Sequence, residues 1–349
     1  MLTYWIMYFF AVFGAINSAG KTVVRSSKSV WIFIGGFYIV LIGLRMSGGD
    51  WYNYFRRFNQ MEYLTLEEAL KVKDVGYQFI SYYTYHWDLG YFTLTMICAI
   101  LSIVGLIIFL RKQPKAWLGL AVSVPYLMLV VYMGYMRQGV ALGFVMWGIV
   151  YLQRGKFFHF IFFILLATTF HKSAIMMIAF GIFSGKRGFL LKLIGIGAAG
   201  LGIWSAFLSV QAEVLWTNYV DTQMQSQGAM IRVLLNTFPA VLLLYFRKEW
   251  KHNFDDYRFW GMISLASLAS IFLVSFASTA VDRMALYFIP LQIVVFARLP
   301  FLARRHISPK TTTYLILLLY FLILFVWLNF AANVNFWLPY RNFLWSGVF

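Results

Sequence analysis

The sequence predicts an all-α polytopic membrane protein with about twelve transmembrane helices. Three observations carry this. Hydrophobic residues make up 62% of the 349 residues and charged ones 12%, against an apolar share of roughly 45–50% in soluble domains. Apolar windows recur along the chain, many near the ~20 residues a helix needs to cross a bilayer. Lysine and arginine concentrate in alternate connecting segments, the charge asymmetry of membrane topology.

In order, the windows are 2–17, 29–44, 91–110, 118–134, 139–152, 157–170, 174–184, 189–209, 232–246, 259–278, 284–299 and 311–331. The first, LTYWIMYFFAVFGAIN, has no basic segment before it and no small-residue cleavage site after it. It reads as a retained helix rather than a signal peptide. Segment 174–184 is short and is expected to tilt or extend into its flanks. Cys98 is the single cysteine, which excludes an internal disulfide and fits a small buried hydrophobe. No repeat or low-complexity segment interrupts the pattern, so one integral membrane domain over 1–349 is expected.

Of the 29 lysines and arginines, nineteen fall in the connections containing Lys21, Arg111, Arg154, Lys186, Arg247 and Arg298, with three acidic residues. The alternate connections hold ten cations and nine acids. The nets are +16 and +1, so the first set is expected in the cytoplasm and both termini outside. The excess charge is then a topology signal facing membrane lipids, and nucleic acid drops out as a partner.

The outward side still places a cation at most membrane edges: Arg45, Arg137, Lys172, Arg232 and Arg283. Snorkelling to headgroups accounts for any one of them. Five on a side otherwise poor in cations point to a convergent anion site, because guanidinium forks match phosphate and keep their charge. In the long outer loop, 45–90, Gly48 and Gly49 permit a tight turn before Asp50. Trp51, Tyr52, Tyr54 and Phe55 follow, as an interfacial belt or as faces for sugar rings. Thr65 and Glu68 form a capping box for a short amphipathic helix on the membrane surface. The second outer loop, 210–231, is rich in Gln, Asn and Tyr. It suits a polyol and equally an ordinary polar loop.

No phosphate-binding glycine loop, HExxH or GxSxG occurs, and the five histidines are scattered. Neither a metal nor a cofactor is expected. Three outward groups can transfer protons. Asp282 is read as the ion-pair partner of Arg283. His171 is a phosphate donor, a base or a helix-end histidine. Asp50, on its glycine-flanked turn, is the first choice of general base.

The series Arg45-x4-Asp50-x3-Tyr54, Gly76-Tyr77, Arg137-Gln138-x2-Ala141, Phe170-His171-Lys172-Ser173 and Arg283-x3-Tyr287-Phe288 resembles the EpsG-like branch of the Wzy-type O-antigen and exopolysaccharide polymerases. The resemblance runs from about residue 1 to 300. Val75 stands where the family has proline, and the C-terminal NFWLPYRNFLW is unmatched. The resemblance implies a GT-C-like fold and a metal-independent glycosyltransferase in the bacterial inner membrane, its site facing the periplasm or exterior. It would move a growing glycan from undecaprenyl pyrophosphate to the non-reducing end of an incoming lipid-linked repeat unit. Arg45, Arg137, Lys172, Arg232 and Arg283 would bind the pyrophosphate. Asp50 and His171 would be catalytic, and Tyr54, Tyr77, Gln138 and Tyr287 would bind sugar. Implied partners are undecaprenyl-pyrophosphate-linked glycans and the chain-length regulator and flippase of the same pathway. An O-antigen ligase shares the donor, but the motif order favours the polymerase. A flippase would place ionisable residues at mid-membrane depth and repeat itself internally, and an acyltransferase would want an intramembrane histidine or a clear His–Asp pair.

Overall fold

A computed structural model describes residues 1–20, 26–185, 228–276 and 278–346, with 188, 190, 193–194, 196–197 and 200–201. The expected span 189–209 is met only at scattered positions, and the second outer loop lies outside the described residues except at 228–231. Among the described residues the regular elements are helical, and one isolated bridge pairs Arg45 with Asn342.

Helices α1 (Leu2–Asn17) and α2 (Lys28–Gly43) precede the long loop, which holds α3 (Trp51–Asn59), α4 (Leu66–Lys71) and α5 (Val75–His86). There follow α6 (Tyr91–Leu110), α7 (Ala116–Ser123), α8 (Met136–Gln153), α9 (Phe157–Phe170) and α10 (Met177–Phe183). The described chain resumes with α11 (Ala229–Tyr245), α12 (Arg247–Asn253), α13 (Tyr257–Leu273), α14 (Ser278–Ala285), α15 (Ile289–Leu302), α16 (Pro309–Phe330) and α17 (Phe343–Ser346). The apolar windows other than 189–209 overlap helical segments among the described residues. By length and composition, Tyr91–Leu110, Ser278–Leu302 and Pro309–Phe330 are long enough to cross a membrane among the described residues. The pair α11 and α12, bent by 75°, would make a fourth. The capping box forms: Thr65 N–H donates to Glu68 Oε2 at 2.9 Å, and Glu68 N–H to Thr65 Oγ1 at 3.3 Å.

The helices gather into two compact units. One comprises Met1–Trp147, Thr169–His171 and Ala297–Phe349, the other Gly148–Thr168 and Lys172–Phe296.

In the first unit, small residues let backbones touch, as apolar helices require when lipid competes for their surface. A Cβ on Gly105 of α6 would lie 2.1 Å from the carbonyl oxygen of Gly143 on α8. A Cβ on Gly14 of α1 would lie 2.0 Å from the Trp117 ring on α7. Helix α7 runs into a π-helical stretch, Val124–Tyr132, buried throughout. Pro125 sits at its start, where the missing N–H breaks the regular ladder and allows the wider turn. Lys115 is buried and donates to the carbonyls of Ser18 and Ala19 at 2.8 and 2.9 Å.

In the second unit, α11 and α13 pack closely. Ser264, Ser267 and Ser270 are buried on α13, each bonded to the carbonyl four residues back. On α11, Asn236 donates to Ala285 O and accepts from Gln292 Nε2, both at 2.8 Å. At the other end of α13, Asp256 accepts from the indoles of Trp250 and Trp260 at 3.0 Å and from Gln153 Nε2 at 2.8 Å.

The Gly105–Gly143 contact generates a prediction. Gly105→Val forces α6 and α8 apart and costs about 1–3 kcal/mol or more, as overpacked cores do. Thermal melting in detergent measures it. Gly36→Ala, where nothing lies within 4 Å of the new methyl, does not lower the melting temperature, since alanine is the better helix former.

Candidate active site

The outer loop begins where α2 ends. Arg45 is 1% exposed. Its Nε and Nη2 donate to Met133 O at 3.0 and 2.6 Å, and its Nη1 donates to Ile42 O at 2.6 Å. These carbonyls lie beside helix ends, where the ladder leaves acceptors without partners. Arg45 therefore acts as a structural staple, its three donors turned to backbone carbonyls. Gly48 follows at φ +132°, and a Cβ there would lie 2.6 Å from the same Met133 oxygen. Only glycine fits both the conformation and the approach.

The C-terminal segment is bound into this turn. Met46 N–H donates to Arg341 O at 2.9 Å, Gly48 N–H to Phe336 O at 2.7 Å, and Phe343 N–H to Leu44 O at 2.8 Å. Trp337 is buried, and its indole donates to Leu129 O at 3.0 Å. Between loop and C-terminal segment opens a cavity of about 730 Å³. Asp50 lines it, at the N-terminal end of α3, and accepts a long bond from Asn53 Nδ2 at 3.4 Å. One helical turn further on, Tyr54 N–H bonds to Asp50 O at 3.0 Å.

Tyr54 leads to the second part of the site. The Arg137 guanidinium carbon lies 5.8 Å from the Tyr54 ring centroid, and the Tyr54 and Tyr77 rings are 5.7 Å apart. Arg137 Nη1 forms an ion pair with Asp74 Oδ2. Their side chains are 26% and 7% exposed. Asp74 starts α5 in the left-handed conformation at φ 66°, one that aspartate tolerates better than most residues. Two residues on, a Cβ at Gly76 would lie 2.5 Å from Thr169 Oγ1, so α5 begins against the end of α9. There His171 Nε2 lies 3.1 Å from Gln138 Nε2. An amide nitrogen only donates, so in this orientation His171 accepts at Nε2 and carries its proton on Nδ1.

Burial pushes the Tyr54 and Tyr77 hydroxyls up, against the opposing pull of the Arg137 charge. Both stay neutral and able to donate. Among the described residues, Tyr77 Oη and Gln138 Oε1 are buried without a hydrogen-bond partner. Native structures satisfy such groups with water or ligand.

In the second unit, Arg232 holds Asp282 in a two-pronged pair, Nε to Oδ1 at 2.5 Å and Nη2 to Oδ2 at 2.7 Å. Both carboxylate oxygens of Asp282 are thus engaged by a residue fifty positions away, a partner that adjacency in sequence does not give. Arg283 is half-buried on α14, and Lys172 is exposed after α9. Tyr287 is 1% exposed, as against 6% for Tyr54 and 3% for Tyr77. All three rings are packed into the protein, so their faces serve as walls. Among the described residues no group of three His, Cys, Asp or Glu could hold a metal ion.

A family model described as the EpsG family matches residues 28–342. The chain belongs to the EpsG family. Membership in this Wzy/EpsG-like polymerase family carries a polysaccharide-polymerase-type function, of glycosyltransferase character, in a membrane protein. The EpsG match reaches Asn342, so it takes in most of the C-terminal segment left unmatched by the motifs. No curated protein and no solved structure matches the chain.

Two site residues escaped the sequence reading. Asp74 stands two residues before the Gly76-Tyr77 motif, where an acid followed by a helix signal is available. Arg341 carried no local signal, because its place depends on a chain reversal after α16.

Two stability predictions follow from this geometry. Arg45→Ala leaves buried carbonyls without donors at ~1–3 kcal/mol each, and the yield of folded protein in size exclusion falls sharply. Arg137→Gln takes the guanidinium away from the buried Asp74 carboxylate, so it lowers the melting temperature. Adding Asp74→Asn restores much of the loss, with a coupling in the double-mutant cycle of ~0.5–3 kcal/mol.

Proposed function

We propose that this EpsG-family protein polymerises lipid-linked glycan repeat units at the outer face of the bacterial cytoplasmic membrane. It transfers the growing chain from undecaprenyl pyrophosphate to the non-reducing end of an incoming lipid-linked repeat unit, without a metal. The observation that supports the reading is the meeting of Tyr54, Gly76-Tyr77, Arg137-Gln138 and Phe170-His171, four separated motifs, of which Tyr54 stands one helical turn from Asp50.

The chemistry is a direct displacement. An acceptor hydroxyl oxygen attacks the anomeric carbon as the bond from that carbon to the diphosphate oxygen breaks. The hydroxyl proton passes to the Asp50 carboxylate. The electron pair leaves on the diphosphate, where Arg137 stabilises the developing charge. A fixed guanidinium does here what a divalent cation does elsewhere, because it offers two aligned donors and a permanent charge. Gln138 holds the His171 ring so that Nδ1–H donates to a phosphate oxygen. Asp74 keeps Arg137 extended and yields to the incoming diphosphate. Arg45 leaves the set of anion-binding residues. Lys172, Arg232 and Arg283 belong to the second unit, and single substitutions test their part in turnover. A flippase that delivers repeat units and a chain-length regulator are the expected partners of such an enzyme.

The test is reaction of purified protein with lipid-linked repeat unit in the presence of a chelator. A ladder of products is expected. A single product formed only on a lipid A-core acceptor would identify a ligase instead. Asp50→Asn retains donor binding and forms no ladder. The pair Arg137→Gln with Asp74→Asn folds and forms none either. Wild-type turnover in Asp50→Asn would move the base to His171, and in the pair would remove Arg137 from the site.

A further inference from the structure

The cavity beside Asp50 has chemistry that the transfer step above leaves unused. One wall is the loop, with Asp50 and Asn53; the other is the C-terminal segment, with Asn333, Asn335 and Arg341; Tyr135 completes it. Its volume, about 730 Å³, falls within the ~300–1,000 Å³ usual for ligand sites. Asparagine amides both donate and accept, so they pair with hydroxyls in either role. A carboxylate and a guanidinium in the same cavity leave its charge balanced. A diphosphate would meet the repulsion of Asp50 there, whereas a sugar would meet an acceptor for its hydroxyl proton.

We infer that this cavity is the acceptor-sugar subsite, and that Arg341 and Asn335 select which hydroxyl reaches Asp50. The inference rests on the polymerase reading above. The register is fixed by the backbone. Met46 bonds to Arg341 and Gly48 to Phe336 within five residues of Asp50, so the C-terminal wall cannot slide relative to the base. Asn342, next to Arg341, is 0% exposed, and its side chain donates to Val40 O at 3.2 Å. The Arg341 side chain is free of that anchoring role and exposed to the cavity. A sugar seated by Arg341 and Asn335 presents one edge to Asp50, and the choice of edge decides the linkage. Arg341 and Asn335 are thus specificity-determining residues that act on the acceptor, separate from the diphosphate contact at Arg137.

The probe is a lipid-free single repeat unit hydrolysed from the host's own exopolysaccharide, offered to the full-length protein in detergent. Saturation-transfer NMR reads binding, with maltotriose as the unrelated sugar. Wild type should bind the repeat unit and not maltotriose. Arg341→Gln and Asn335→Ala should each weaken binding about tenfold or more at unchanged melting temperature. In the polymerisation reaction both should raise KM for the repeat unit more than they lower kcat, or shift the linkage of the product. The Arg137→Gln, Asp74→Asn pair should keep the binding. Equal affinity in wild type and both variants overturns the subsite, as does equal binding of maltotriose. A ladder without oligosaccharide binding removes the subsite and leaves the polymerase standing. Binding that depends on Arg341, with no ladder from wild type, does the reverse.

Discussion

The outer part of the first unit hangs on one buried cation. Arg45 reaches two carbonyl oxygens with three of its donors, and around it α2 ends, the π-helical stretch gives way to α8, and the C-terminal segment returns to pair at Asn342. Backbone that leaves its helix in an apolar setting must find partners inside the protein. Arginine suits the task better than lysine because its planar fork serves two acceptors at once and its charge does not titrate away. Asp50 inherits its position from this arrangement: it is five residues beyond Arg45, after a glycine turn that only closes over the Met133 carbonyl without a side chain.

The same physics governs the other cations at span ends. Arg137 is paired with Asp74 across sixty-three residues and Arg232 with Asp282 across fifty. In each pair a carboxylate from a distant element takes up donors that a linear reading leaves open for a ligand. Pairing also holds the long side chain in one place, so that a half-exposed cation such as Arg137 stays aimed instead of turning to headgroups. The number of outward cations therefore overstates the number available to an anion, and Arg45 is the extreme case. What remains at Arg137 is a charge with an orienting partner, neutral phenols beside it, and an amide–imidazole pair next to it in sequence and in space. In the proposed transfer, that setting would meet the leaving group whose charge grows during the reaction.

Much of this was legible beforehand. Apolar windows became helices because burying a long apolar run in a bilayer leaves the backbone no other way to satisfy its groups. The Thr65–Glu68 capping box formed because it needs only residues three apart. The motif residues Tyr54, Gly76, Arg137, Gln138 and His171 come from separate stretches of the sequence, and the fold brings them together. Their partners were another matter. Asp282 gives both oxygens to Arg232, a partner set by the geometry of α11 and α14. Tyr287 is packed away. The π-helical stretch after Pro125 went unread, because proline in an apolar run signals a break without saying which way the helix relaxes.

By itself the sequence determined the helical membrane class, the order of the apolar segments and the motifs that mark the EpsG family. Those depend on composition and on short spacings, which act locally and do not change with context. Only the tertiary structure decided which cations are staples and which face the site, that Asp74 steadies Arg137, and that Arg341 shares a cavity with Asp50. Those depend on contacts between residues tens to hundreds of positions apart, and a hydrogen bond's partner is set by where the backbone turns, not by the identity of either residue.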